Sequence, residues 1–411
     1  MKSACPFSFN DEIEMYKNIA YFKGLNALRF FAASLVVLHH TATIGKKDGL
    51  FDLCDWGLFR NGSNAVNFFF VLSGFLITYL LLKEHDQTGT ISIKQFYLRR
   101  VRRIWPLYFL LIIIGTLLLP LAFGLVGIDY QMPYTLSQTW YYFLFFFPIL
   151  VLFHYGHHFL EPLWSIGVEE VFYLLWAPLF KYFRRHIVAI LSAIIVLKLA
   201  SLMLIQHFCA ENNVFAFLMR NYSFETMAVG ALGACFLFNA KDKVETLWLF
   251  RKPFRVIICL LVPIFLCFNI NIDNPLWKLI FLTPVFSPFL LSLLYLYLIL
   301  TITICRADRK ENRFLKFGGE ISYGIYMYHM GIVFLMTLLL KPLKATLPEP
   351  LFVLLFILST FLLTIVVAYI SKRWFENFFL QLGKKKPKHR PENHLSITRK
   401  NKTPKEFHET A

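Results

Sequence analysis

The sequence predicts an all-α protein, a polytopic membrane helical bundle of about ten transmembrane helices. Three observations predict it: the composition, the length of the apolar runs, and the side on which the cations fall. Of 411 residues, 57% are hydrophobic and 16% charged, and the mean hydropathy is +0.56. That is too apolar for the surface of an ordinary soluble domain, so most of it must face lipid. A formal net charge of +17 does not point to nucleic acid. Lys and Arg gather in short runs between apolar stretches and in the tail, the pattern of cytoplasmic loops held against anionic lipid.

A helix needs about twenty apolar residues to cross roughly 30 Å of hydrocarbon with its backbone satisfied. Ten runs qualify: 25 to 44, 62 to 82, 104 to 126, 164 to 182, 187 to 207, 223 to 240, 255 to 272, 277 to 304, 319 to 340 and 350 to 371. Segment 138 to 153 is shorter. With the N-terminus inside and ten crossings, the inner loops collect Lys94 to Arg103, Arg184 to Arg185, Lys241 to Arg255 and Arg306 to Lys316. An eleventh crossing at 138 to 153 would throw the later clusters outside, so this segment is expected to be re-entrant or interfacial.

Residues 1 to 24 form an expected cytoplasmic segment, without the basic-then-apolar order of a cleavable signal. Residues 25 to 372 form the membrane domain, and 373 to 411 a basic cytoplasmic tail with too few apolar residues for a core. The expected location is the plasma (inner) membrane, multi-pass. The seven cysteines are scattered without paired metal spacing, so neither a metal site nor a disulfide framework is expected.

Ionisable side chains inside the spans are costly and are the first functional candidates. Arg29 and His40 lie eleven positions apart on the first run. Eleven steps of about 100° return to nearly the same helical face, about 16 Å further along the axis. A snorkelling arginine and an interfacial histidine would look the same. The stretch Trp164 to Tyr173 carries adjacent carboxylates, Glu169 and Glu170. These point about 100° apart, so at least one must line a polar cavity unless a structural ion pair holds them. Ser165, Glu169 and Tyr173 share a face, which sets Glu169 at about the depth of His40.

The run Phe96 to Pro106 holds Arg99, Arg100, Arg102 and Arg103. On charge alone it reads first as a positive-inside anchor, although a polyphosphate also wants several guanidinium forks on one short helix. Tyr326 and His329 lie in the ninth run, where a lone histidine is more often a packing group. Ser73, beside Gly74, suits close helix contact as well as a site.

In order, these stretches resemble the acyltransferase 3 family of membrane proteins, which O-acylate bacterial surface polysaccharides and related acceptors. The resemblance rests on Arg29 and His40 with ten residues between them, NFFFVLSGFLI from Asn67, FYLRRVRRIWPLY from Phe96, LWSIGVEEVFY from Leu163, and ISYGIYMYH from Ile321. It departs at Asn67, where many members carry aspartate. The resemblance implies a ten-helix bundle, His40 acting in acyl transfer, Arg100 and Arg103 holding acyl-CoA, and Glu169 belonging to the site.

The combined expectation has acetyl-CoA as co-substrate, with no permanently bound cofactor, its phosphates on Arg99, Arg100, Arg103 and Arg29. His40 would deprotonate a hydroxyl of an extracytoplasmic glycan as it attacks the thioester, with Glu169 orienting the imidazole or the acceptor. Ser73, Trp164, Glu170, Tyr173, Tyr326 and His329 are expected to line the site. A transporter or flippase of a lipid-linked or anionic substrate would also use buried ions, but no two related halves are visible.

Overall fold

A computed structural model describes residues 22–127, 132–209, 213–267, 283, 285–305 and 311–382. Among them every regular element is a helix, as a backbone buried in lipid requires. We number them α1 (Leu25–Lys47), α2 (Gly62–Thr88), α3 (Ile93–Ile113, continuing through a π turn at Ile114–Leu118 into Leu119–Val126), α4 (Leu136–Leu144) and α5 (Pro148–Tyr155). Then follow α6 (Leu163–Phe183), α7 (Ile187–Phe208), α8 (Val214–Asn221), α9 (Phe224–Thr246), α10 (Lys252–Cys267), α11 (Phe286–Cys305), α12 (Arg313–Glu320), α13 (Ser322–Leu340) and α14 (Glu349–Ile370).

Seven helical stretches among the described residues are long and apolar enough to cross a membrane. That number neither reaches nor contradicts the expected count of ten, and the difference lies at particular places. Leu163–Phe208 is one stretch of 46 residues in which α6 and α7 meet at a short tight turn, Arg184–His186. The sixth run falls in α9, which is long enough but charged at both ends, with Glu225 at one and Lys241, Asp242, Lys243 and Glu245 at the other. The runs 255 to 272 and 277 to 304, like the N-terminal segment and the basic tail, extend outside the described residues.

Helix α2 sits at the centre, packed by α1, α6, α9 and α11. Its closest neighbour is α9, and small residues set the distance: a Cβ on Gly74 would stand 2.0 Å from the carbonyl oxygen of Met227, and one on Gly230 equally close to that of Val71. Two backbones meet with nothing between them. Gly74 therefore makes the helix contact, and Ser73 is left to point elsewhere.

The turn from α2 to α3 uses ordinary stop and start signals. Gly89 ends α2 in the left-handed region (φ 74°) and the Ser92 hydroxyl caps α3 by accepting from the Gln95 amide. Segment 138 to 153 forms two helices of nine and eight residues, each too short to cross. They break at Phe146, whose φ of 60° is rare for a residue with a side chain. Its ring stacks on Tyr108 at 4.8 Å and its carbonyl lies against Gly167, where a Cβ would come within 2.6 Å. Packing on α3 and α6 thus fixes the break.

Candidate active site

Helices α1, α2, α3, α6 and α13 enclose a cavity of about 320 Å³. Its polar wall collects Arg29 from α1, Ser73 from α2, Arg100 and Arg103 from α3, Ser165, Glu169 and Tyr173 from α6, and Tyr323 and Tyr326 from α13. Phe69, Phe70, Leu72, Leu76 and Ile166 supply apolar wall between them. The predicted i, i+4, i+8 stripe on α6 faces the cavity along its whole length.

Cations hold one end. Arg100 and Arg103, three residues apart on α3, both reach the cavity, and among the described residues neither is in an ion pair or a hydrogen bond. The Nε of Arg100 is buried without a partner, a costly state for a guanidinium unless a ligand supplies the acceptor. Arg99 faces away, because the Gly89 turn brings Glu84 over the start of α3. Glu84 accepts from Arg99 at 2.7 Å and from the Ser92 amide at 2.8 Å, on the protein surface.

The acid is held by hydroxyls. Glu169 Oε2 accepts from Tyr173 at 2.6 Å and from Ser73 at 3.3 Å, and the two hydroxyls also hydrogen bond to each other. The charges of Arg100 and Arg103 act on this carboxylate. Glu170 points out of the cavity, where one oxygen accepts from the Trp105 indole at 3.0 Å and the other is buried unpartnered. Trp164 is outside the wall too, edge-on to Phe70.

At the opposite end a layer closes the cavity. The Tyr326 hydroxyl lies 2.7 Å from that of Ser165 and donates to the Pro162 carbonyl at 3.1 Å. Its ring packs against Phe69 on one side and His329 on another. Behind this layer, His329 Nε2 lies 3.2 Å from His40 Nδ1, and the ring centroids are 4.9 Å apart. His40 is half-buried and His329 fully buried. His39 turns the other way, onto the Phe59 carbonyl and Gly62.

The structure thus brings together Arg29, Arg100, Arg103, Ser73, Glu169, Tyr173 and Tyr326. It leaves Arg99, Trp164 and Glu170 out of the cavity, and it sets His40 and His329 one side-chain layer beyond it. Of the two expected roles of Glu169, orienting the imidazole of His40 or orienting the acceptor, the first needs correction, as does its expected depth beside His40. Bonds to Ser73 and Tyr173 hold Glu169 in the cavity wall with Arg100 and Arg103, while His40 lies outside that wall. Counting turns from the ends of apolar runs misplaces depth, because α1 runs on to Lys47 and Glu169 of α6 bonds across to Ser73 of α2. Phe69 and Ser165 were not singled out as site residues. Ser165 could have been, since it shares the stripe of Glu169 and Tyr173.

The fold and cavity define a polytopic helical membrane protein with an arginine-lined internal pocket. The chain belongs to the acyltransferase 3 family, whose acyltransferase domain matches residues 22–369. It is similar to a putative O-acetyltransferase of Staphylococcus aureus (strain COL), at 27% identity over 341 residues, which cover 77% of this chain and 52% of the relative. It is also similar to the putative peptidoglycan O-acetyltransferase YrhL of Bacillus subtilis (25% identity; 77% and 49%) and the peptidoglycan O-acetyltransferase OatA of Listeria monocytogenes (25%; 87% and 55%). The chain spans about half the length of these relatives. No solved structure matches it.

Proposed function

We propose that this chain is a plasma-membrane O-acetyltransferase that takes acetyl from cytoplasmic acetyl-CoA and delivers it to a hydroxyl of an extracytoplasmic glycan. The observation that carries the reading is Arg100, half-buried and lining the cavity with its Nε buried and without an acceptor, beside Arg103 and Arg29. Three guanidinium groups around one mouth match the phosphates of a CoA, and the narrow apolar cavity beyond matches a pantetheine arm. The peptidoglycan acceptors named for two relatives make a cell-wall glycan the first acceptor to test.

In this reading both termini face the cytoplasm, where the cation clusters would meet anionic lipid. The thioester travels past Ser73 and Glu169 to the Phe69–Tyr326 layer. Beyond it, His40 removes the proton of the acceptor hydroxyl, the oxygen bonds to the thioester carbonyl carbon, the carbon–sulfur bond breaks, and the proton ends on the sulfur of CoA. Glu169, bound to Ser73 and Tyr173, borders the route rather than orienting the imidazole.

The test is purified protein in liposomes given radiolabelled acetyl-CoA and a peptidoglycan fragment. Label should move to the glycan with wild-type protein and not with His40→Ala. Transfer undiminished in that variant would remove the assignment of His40.

A further inference from the structure

Resting on the acetyl-transfer reading, we propose that His329 is a positioning residue for His40: with the Val36 carbonyl it holds the tautomer that leaves His40 Nε2 as the base, and unlike that carbonyl it shares the proton that His40 takes up.

His329 Nδ1 lies 2.6 Å from the carbonyl oxygen of Tyr326. A carbonyl oxygen only accepts, so this nitrogen carries the hydrogen, and in a neutral imidazole the other nitrogen is then a bare lone pair. That lone pair, on Nε2, faces His40 Nδ1 at 3.2 Å. The carbonyl oxygen of Val36 faces the same His40 nitrogen at 3.0 Å. Two independent acceptors meet at His40 Nδ1, so that nitrogen must be the N–H. Nε2 of His40 is left with the lone pair and, among the described residues, no hydrogen-bond partner.

In other acyl-transfer sites a partner of this kind sets which ring nitrogen acts as base. Here the partner is a second imidazole, and that changes what it can do. When Nε2 of His40 takes the hydroxyl proton, the Nδ1 proton can pass to Nε2 of His329. The charge then rests on a ring whose other N–H is already held by Tyr326. When the carbon–sulfur bond breaks the transfers reverse: His329 returns its proton to His40 Nδ1, and His40 Nε2 gives one to the sulfur. His329 is fully buried, so water does not compete for its lone pair. A packing histidine would also satisfy its buried N–H on the Tyr326 carbonyl, but it would not need its lone pair turned onto His40.

The test compares two polar substitutions in the liposome assay, each in preparations that elute as one species. The amide oxygen of His329→Gln reaches the place of Nε2 and can still accept from His40. In His329→Asn the amide falls at the place of Nδ1 and cannot reach. We expect His329→Asn to lower kcat about 100-fold with KM for acetyl-CoA within about twofold. His329→Gln should recover about tenfold of that loss, and no more, because an amide cannot take the proton. Equal rates for the two variants, or a wild-type kcat in His329→Asn, would overturn the proposal. A wild type that transfers no label would instead overturn the acetyl-transfer reading beneath it.

Discussion

The hydroxyls of Ser165 and Tyr326 stand 2.7 Å apart and form the end of the cavity two turns along α6 from Tyr173. The bond sits between the arginine-lined space and the paired imidazoles, so on the acetyl-transfer proposal a thioester approaching His40 must displace the Tyr326 ring or stop against it. The ring therefore limits the acyl group. Tyr326→Ala should raise the ratio of butyryl to acetyl transfer by about tenfold, the scale on which a pocket discriminates a methylene or two. An unchanged ratio in a competition between the two CoA esters would place the acyl group elsewhere.

Arg99 and Arg100 are sequence neighbours with opposite surroundings. Arg99 is paired with Glu84 at the surface, while Arg100 lines the cavity with its Nε unpartnered. Arg99→Ala should leave KM for acetyl-CoA within about twofold. Arg100→Ala should raise it at least about tenfold, the scale of one lost charge-assisted bond. Equal effects, measured as initial rates against acetyl-CoA concentration, would mean that the cluster acts only as an anchor.

Ser73 and Gly74 separate function from packing at adjacent positions. Gly74→Leu forces α2 from α9, because its Cβ would meet the Met227 carbonyl at 2.0 Å, and should cost about 1–3 kcal/mol or more in stability. Ser73→Ala removes one donor to Glu169 and should leave the unfolding temperature in detergent nearly unchanged while lowering transfer. Comparable melting of the two variants would contradict this division.

His157 lies outside the membrane-spanning stretches, and its hydrogen bond to Glu161 raises its pKa above the ordinary histidine value. A raised folded-state pKa stabilises the fold while the ring is protonated. That contribution is fully present below the unfolded value near 6.5 and is lost as pH rises through the folded value. His157→Gln should therefore melt below wild type at pH 5 and together with it at pH 9. Because the imidazole is largely exposed, the gap should be small; a gap that widens toward high pH would refute the pairing.

The membrane class, the helices and most of the cavity wall were legible because lipid makes ionisable groups expensive and period 3.6 tells which of them share a face. Arg29, Glu169 and Tyr173 are found that way, whereas Arg100 and Arg103 read first as an anchor and enter a site only through the family resemblance, and Ser73 suits helix contact equally. Four things were not legible, each set by contacts between separate segments. Glu84 captures Arg99 across the Gly89 turn. Glu169 bonds to Ser73 and Tyr173 in the cavity wall, away from His40. The approach of His329 to His40 joins helices 289 residues apart in the chain, a distance no periodicity spans. The Phe146 break is likewise invisible, because nothing in a run of aromatics announces a positive φ.

Acetyl transfer by this chain requires that the arginine end of the cavity receive a CoA. Equilibrium binding of radiolabelled acetyl-CoA to purified protein measures this without any acceptor. Saturable binding by the wild type, weakened at least about tenfold when Arg100 and Arg103 are both replaced by alanine, is the predicted result. Equal binding by both proteins, or none by the wild type, would contradict it.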